Sequence, residues 1–176
     1  MRPRAAISGL SGRSKYQVDI TYRKAVADDA EAISKLIIES QREFCFHEYT
    51  GEGRKLMQEL CSVPAISGYI NRGDVYFVAE GEGEVVGVAG VRDSEHLSHN
   101  FVASAWHRRG ISNRLWQLTR EACLARGNPG RFSLNASTFA IPVYERWGFT
   151  VTGPKSFEHG LAFTPMEMSK SLLETD

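Results

Sequence analysis

The stretch from Asn100 to Ala125 constrains this chain more than any other. A β-rich run, Asn100-Phe-Val-Ala103, passes through Ser104-Ala-Trp-His-Arg-Arg-Gly-Ile-Ser112 into an amphipathic helix. Ile111, Leu115, Leu118, Ala122 and Ala125 recur at helical spacing on one apolar face. Asn113, Arg114, Gln117, Arg120 and Glu121 fill the polar side, and Gly127 with Asn128, Pro129 and Gly130 ends the helix. A strand, a basic turn with glycine and a helix start, in that order, leave free backbone N–H groups at the positive end of a helix dipole. That arrangement binds phosphate. Gly110 lets the backbone approach an anion closely, and His107, Arg108 and Arg109 add positive charge. The segment is neither a P-loop nor a dinucleotide fingerprint, since it lacks the G-K-[ST] ending of the first and all but one glycine of the second. Taken alone it also reads as a plain strand-to-helix connection with a solvated basic turn.

The rest of the chain alternates strand and helix. Ile20–Arg23 reads as a strand, and Asp28 with Glu31 as a capping pair before a helix whose apolar face holds Ala30, Ile33, Ile37 and Phe44, with Leu36 beside them. One helix is expected within Gly51–Tyr69, bounded by glycines and by Pro64. Val75–Glu80 and Glu84–Val91, joined across Gly81-Glu82-Gly83, predict a hairpin, and Glu95–Ala103 adds a third strand after the Asp93-Ser94 turn. Arg131–Asn135 reads as a strand. Ser137 or Thr138 then caps a short helix with Ala140, Tyr144 and Trp147 on one face, Pro142 in its first turn and Gly148 at its end. Strands at Phe149–Thr152 and Leu161–Met168 close the pattern.

With 176 residues, the chain suits one domain that needs neither disulfides nor a metal to hold its core. Residues 1–18, Arg- and Ser-containing and acid-free, are expected to be a flexible extension, and residues 19–176 the single folded domain. Lys plus Arg and Asp plus Glu are 21 each, a balance that argues against a nucleic-acid grip or an anionic membrane surface. No run of 18 apolar residues is present. Three cysteines without a C-x-x-C pair favour a reducing, cytoplasmic setting over a disulfide framework. Cys45, His47 and Cys61 match no common zinc spacing, so no metal is expected.

Two segments carry a resemblance. Val102-Ala-Ser-Ala-Trp-His-Arg-Arg-Gly-Ile-Ser112 resembles the acetyl-CoA pyrophosphate loop V-x-x-x-x-[Q/R]-x-x-G-x-[G/A] of the GNAT superfamily of N-acetyltransferases. Asn135-Ala-Ser-Thr-Phe-Ala-Ile-Pro-Val-Tyr-Glu-Arg-Trp-Gly-Phe149 resembles the family's N-A-S-x-x-A-x-x-x-Y-E-x-x-G-F segment. The similarity spans about Ile20 to Leu172. It implies the GNAT fold: an α/β domain with a mixed, mostly antiparallel sheet of about seven strands, flanked by about four helices and splayed between strands 4 and 5. His107 stands where the family has Gln or Arg, and Ser112 where it has Gly or Ala. Phosphate is held there mostly by backbone N–H groups, so both departures are expected to be tolerated, and the Ser112 hydroxyl is able to donate to a phosphate oxygen.

The resemblance implies transfer of an acetyl group from acetyl-CoA to a primary amine of a small molecule, peptide or protein, by direct attack in a ternary complex. Phe101, Val102, His107, Arg108, Arg109, Gly110, Ile111, Ser112, Asn113 and Asn135 then bind the cosubstrate, and Tyr144 also protonates the leaving thiolate. His96 occupies the fourth-strand position of the family's amine-side base, with Glu95 and water as alternatives. Regular alternation puts His96, Ser98 and Asn100 on one face and His99 on the other; a bulge would break that parity. Phe44, Phe46, His47, Glu48, Tyr49, Phe157, Glu158 and His159 fall where the family builds its acceptor site, and aromatic and acidic groups together suit a cationic amine. Phe44 and Phe46 also read simply as core. Homodimerisation is compatible with the resemblance and leaves no mark in the sequence. A non-catalytic acyl-CoA sensor or partner-binding module is the alternative function.

Overall fold

The computed structural model describes residues 18–169. The extension expected over 1–18 therefore lies outside the described residues except for Val18. Five α-helices and eight strands follow in the order β1 (Ile20–Lys24), α1 (Ala30–Phe44), α2 (Gly51–Leu60), α3 (Val63–Asn71), β2 (Val75–Gly81), β3 (Glu84–Arg92), β4 (His96–Val102), α4 (Ile111–Ala125), β5 (Arg131–Ala136), α5 (Ile141–Arg146), β6 (Thr150–Val151), β7 (Ser156–Glu158) and β8 (Leu161–Ser169). The strands form one sheet in the order β1-β2-β3-β4-β5-β8-β6, with β7 paired to β8. All pairings are antiparallel except β4 with β5. Among the described residues, no helix is long and apolar enough to cross a membrane.

The sheet is buried on both faces. Val78, Val88 and Tyr76 pack against Ile33, Leu36 and Ile37 of α1 and Ile66 of α3. On the other face, Phe77, Ala89, Val91, Leu97 and Phe132 meet Ile111, Leu115 and Trp116 of α4. This double layer explains why β2 and β3 are near-continuous apolar runs rather than alternating ones.

Local chemistry differs from the sequence reading in four places. Asp29, not Asp28, closes the start of α1: its carboxylate accepts Val26 N–H at 2.7 Å and is held in a fork by Arg23 at 2.8 Å. The single helix expected within Gly51–Tyr69 is two. Ser62 accepts Ala65 N–H and starts α3, with Pro64 in the first turn, where its missing N–H does no harm. Neither Ser137 nor Thr138 caps α5, whose N-cap is Ala140. β7, a three-residue strand, had no pattern long enough to be seen.

β4 carries a bulge. Gly90 pairs with His99 and Val91 with Leu97, so Ser98 is the extra residue. The parity of regular alternation is broken, and His96 and His99 share the face that looks toward α1 and α3. His99 is buried there between the Tyr76 hydroxyl at 2.7 Å and Cys61 Sγ at 3.6 Å. Burial lowers its pKa to about 4. An unfolded histidine titrates near 6.5, so the unfolded chain takes the proton first. The stability this neutral imidazole contributes is full above about 6.5 and is lost as pH falls through about 4. Thermal unfolding midpoints across that window check it: His99→Gln flattens the decline, and an unchanged slope in the variant would assign it to other groups.

Candidate active site

The site exists because two strands part. β4 and β5 pair only at His96↔Ser133 and Leu97↔Leu134, then diverge. Asn128 locks the closed end, its Nδ2 donating to Ser94 and Arg131 carbonyls at 2.6 and 2.7 Å and its Oδ1 accepting from Gly130 and Arg131 N–H at 2.6 and 2.9 Å. Beyond that lock a cavity of about 500 Å³ opens. Its walls are the second half of β4, the Trp106–Asn113 turn and α4 start, the end of α1 and the Ser137–Trp147 segment.

The turn into α4 is built to leave N–H groups free. Arg108 (φ 62°) and Gly110 (φ 76°) are both left-handed, and Gly110 is an N-cap without a capping side chain. The first helical bond runs from Arg114 N–H to the Gly110 carbonyl at 3.0 Å, which leaves the N–H groups of Ile111, Ser112 and Asn113 for a ligand. A Cβ on Gly110 would meet nothing within 4 Å, so the space beside it is open to an anion. His107 explains its own departure from Gln or Arg. Its Nε2–H donates to the Val102 carbonyl at 2.7 Å, tying the turn to the end of β4 as an amide or guanidinium donor would. Its ring stacks on Phe44 at 5.4 Å, and Phe44 on Phe139 at 4.8 Å.

Ser112 does not follow the expectation that its hydroxyl donates to phosphate. That proton goes to Asn100 Oδ1 at 2.9 Å, leaving the Ser112 backbone N–H as its contribution. Asn100, in the cavity wall, keeps a buried Nδ2 without a partner. An orphaned donor, uncapped helix N–H groups and two arginines of the lining, Arg108 and Arg146, suit an elongated ligand with acceptor oxygens and phosphates, as acetyl-CoA is. Arg108 lines the cavity. Arg109 does not; its guanidinium lies over Trp106 at 4.7 Å.

Tyr144 projects from α5 into the cavity wall. Trp147 stacks on Trp116 of α4 at 5.9 Å and meets Tyr144 edge-on at 5.4 Å, which fixes α5 against α4 and the tyrosine ring with it. Among the described residues the Tyr144 hydroxyl has no hydrogen-bond partner. Burial, and secondarily the neighbouring Cys45, raise its pKa well above the ordinary tyrosine value, so it holds its proton.

The cavity thus gathers Phe101, Val102, His107, Arg108, Gly110, Ile111, Ser112, Asn113 and Tyr144. It does not gather Asn135 or His96. Asn135 is exposed on β5 opposite Pro165, on the face away from α4. His96 sits at the closed end of the cleft, its Nδ1 bonded to Ser133 Oγ at 2.8 Å, and burial lowers its pKa. Glu95 borders a separate shallow depression with Arg131 and Glu167. Sequence reasoning missed Asn100, Cys45, Ser137 and Phe139, and left Phe44 between acceptor site and core; it lines the cavity. The signal available was Phe139 inside the second motif; nothing in the sequence shows that α1 ends against this cavity.

In the region expected from the resemblance to form an acceptor site, the Glu48 carboxylate is nearly buried and not free. Lys155 Nζ and Thr138 Oγ1 both donate to its Oε2, the latter at 2.8 Å. Burial pushes the Glu48 pKa up, but these bonds outweigh it and the carboxyl titrates below its ordinary value. The protein's own lysine thus already fills the acidic group expected to attract a cationic amine. Phe157 is 67% exposed, with Lys155 over its ring at 6.0 Å. Gly160, in the β7–β8 turn, packs on Gly53 so tightly that a Cβ on Gly53 would stand 2.1 Å from the Gly160 carbonyl oxygen.

Residues 45–170 match the family model described as an acetyltransferase (GNAT) domain. No curated protein matches the chain in sequence. Among solved structures, a GCN5-related N-acetyltransferase from Rhodopseudomonas palustris superposes with a TM-score of 0.72 at 19% identity, over 85% of this chain and 95% of that one. The PaiA N-acetyltransferase from Thermoplasma acidophilum, in complex with coenzyme A, gives 0.71 at 17% identity over 86% and 99%. yncA from Salmonella typhimurium, solved with its cofactor acetyl-CoA, gives 0.66 at 18% identity over 90% and 98%. The match over most of the sequence, on a sheet parted between β4 and β5, makes this chain a member of the GNAT acetyltransferase family.

Proposed function

We propose that the protein is an N-acetyltransferase that carries an acetyl group from acetyl-CoA to a primary amine by direct attack in a ternary complex. The observation that carries this reading is the protonated, unpartnered Tyr144 hydroxyl in the same cavity as the uncapped start of α4. The helix start and the Arg108 turn hold the pyrophosphate, and the parted strands admit the pantetheine arm. Backbone N–H groups of β4 that β5 no longer engages are the donors for the carbonyl oxygen as it gains charge. The neutral amine nitrogen bonds to the acetyl carbon, the carbon–sulfur bond breaks, Tyr144 gives its proton to the departing sulfur, and the proton that the nitrogen sheds as the amide forms returns to Tyr144 through water. An acyl-CoA sensor would have no need of that proton.

The acceptor must lose a proton first, since a lysine-like amine is only about 0.04% neutral at pH 7. His96 and Glu95 both stand away from the cavity, and the His107 Nε2 proton is engaged by Val102. In this reading the amine proton leaves through water.

Three measurements test the proposal. Tyr144→Phe keeps the ring packing and loses only the hydroxyl: turnover falls by about ten-fold or more with the acetyl-CoA dissociation constant nearly unchanged, on protein shown to be folded. Full activity would remove Tyr144 from the mechanism and leave thiolate departure to solvent. Gly110→Trp fills the open space beside the helix start and strains a left-handed backbone, so acetyl-CoA affinity drops by at least about ten-fold; unchanged affinity would move the pyrophosphate elsewhere. His96→Ala keeps turnover within about two-fold at every pH. A loss of about 10²-fold that shrinks as pH rises would make His96 the base after all.

A further inference from the structure

Lys155 sits in the loop between β6 and β7; its side chain is 43% exposed, yet its amine is held by two partners. It donates to Glu48 Oε2 and, at 3.1 Å, to Thr138 Oγ1, while Thr138 donates to the same carboxylate oxygen. Three segments meet at this point: the turn after α1, the β5–α5 connection and the β6–β7 loop. Thr138 stands between Ser137 and Phe139, and both of those residues line the cavity. A lysine amine is therefore fixed within hydrogen-bond reach of a residue whose two chain neighbours form the cavity wall. The other described lysines, Lys24, Lys35 and Lys55, are exposed on β1, α1 and α2, and none of them lines the cavity.

The partner of that amine matters as much as its place. Glu48 has a side chain only 11% exposed, and its ionised carboxylate is bonded directly to the ammonium. A carboxylate in contact with an ammonium holds it in position. The flexible four-carbon stem of lysine lets the nitrogen swing past Thr138 while the backbone stays in place.

We propose that Lys155 is a self-acetylation site, modified in cis by the acetyl-CoA bound in the cavity its loop adjoins. The inference rests on the acetyl-transfer reading above. In the step, Lys155 Nζ, held by Glu48, loses one proton to water; the nitrogen bonds to the acetyl carbon; the carbon–sulfur bond of acetyl-CoA breaks; the sulfur takes the Tyr144 proton; and the second proton, shed by the nitrogen as the amide forms, returns to Tyr144 through water. The product is an acetamide without charge. Glu48 then loses its counter-ion while nearly buried, so the polar tie between the turn after α1 and the β6–β7 loop is broken and the acceptor side of the cavity is altered.

Full-length protein incubated with deuterated acetyl-CoA, quenched over time, digested and weighed by mass spectrometry tests this. The Lys155 peptide gains one acetyl group at least about ten-fold faster than Lys24, Lys35 or Lys55, at a rate independent of protein concentration. Tyr144→Phe and Glu48→Gln each slow Lys155 by about ten-fold or more and leave the other lysines unchanged; either variant suffices should the other fail to fold. Labelling of Lys155 no faster than the surface lysines, unaffected by both variants, or rising with protein concentration would overturn the proposal. A parallel assay with a panel of small amines separates the two readings. Transfer to an amine without preferential Lys155 labelling sinks self-acetylation alone, whereas neither acetyl-CoA binding nor transfer to any amine sinks both.

Discussion

Everything that makes this fold a site depends on β4 and β5 pairing for only two residues. A parallel pair left to itself would continue, because unpaired backbone groups inside a sheet are unfavourable. Here the pairing is locked at one end and prevented at the other. Asn128 satisfies four backbone groups at the closed end, Glu95 C=O accepts Ser133 N–H at 3.0 Å, and His96 bonds Ser133 through its side chain. At the open end α5 and the Ser137–Ala140 connection stand against the end of α1 and the α4 turn, and the strands separate around them. The polar backbone so exposed is what an amide-rich ligand can bind.

The two faces of the sheet divide the labour. The α4 face is apolar to its core and rigid through the Trp116, Trp147, Phe132 and Phe149 rings, and it sets the helix start and Tyr144 relative to each other. The α1–α3 face holds a buried polar chain of Tyr76, His99 and Cys61, with Ser34 Oγ donating to the Cys61 carbonyl at 2.6 Å. The bulge at Ser98 joins the faces. It turns Leu97 and His99, which face the consecutive β3 residues Val91 and Gly90, to opposite sides, so one strand serves both the apolar layer and the polar one.

One wall of the cavity carries a ladder of rings, while Arg108 and Arg146 supply charge to the lining. Phe139, Phe44 and His107 stack in sequence, and the Glu48 carboxylate in the turn after α1 is neutralised by Lys155. The departures from the family pattern are absorbed without rebuilding: His107 donates to Val102, and Ser112 finds Asn100, another polar side chain on the strand beneath. Each replacement is small enough to leave the backbone N–H groups of the α4 start where an anion needs them.

The sequence by itself determined the parts that depend on neighbours in the chain. The strand–turn–helix from Asn100 to Ala125, the hairpin of β2 and β3, Gly148 as the stop of α5 and the placing of Tyr144 follow from spacing, glycine conformation and local hydrogen bonding, which act within a few residues. The break at Ser62 is local too, a serine cap with Pro64 in the first turn. Tertiary structure alone decided the rest. The bulge at Ser98 and the three-residue β7 are set by the register of the strands beside them. Whether His96 and Asn135 reach the cavity depended on strand register and on how far β4 and β5 stay paired, neither of which leaves a local trace. The seating of Lys155 on Glu48, 107 residues away, required packing three loops together, and no pattern in the order of residues records it.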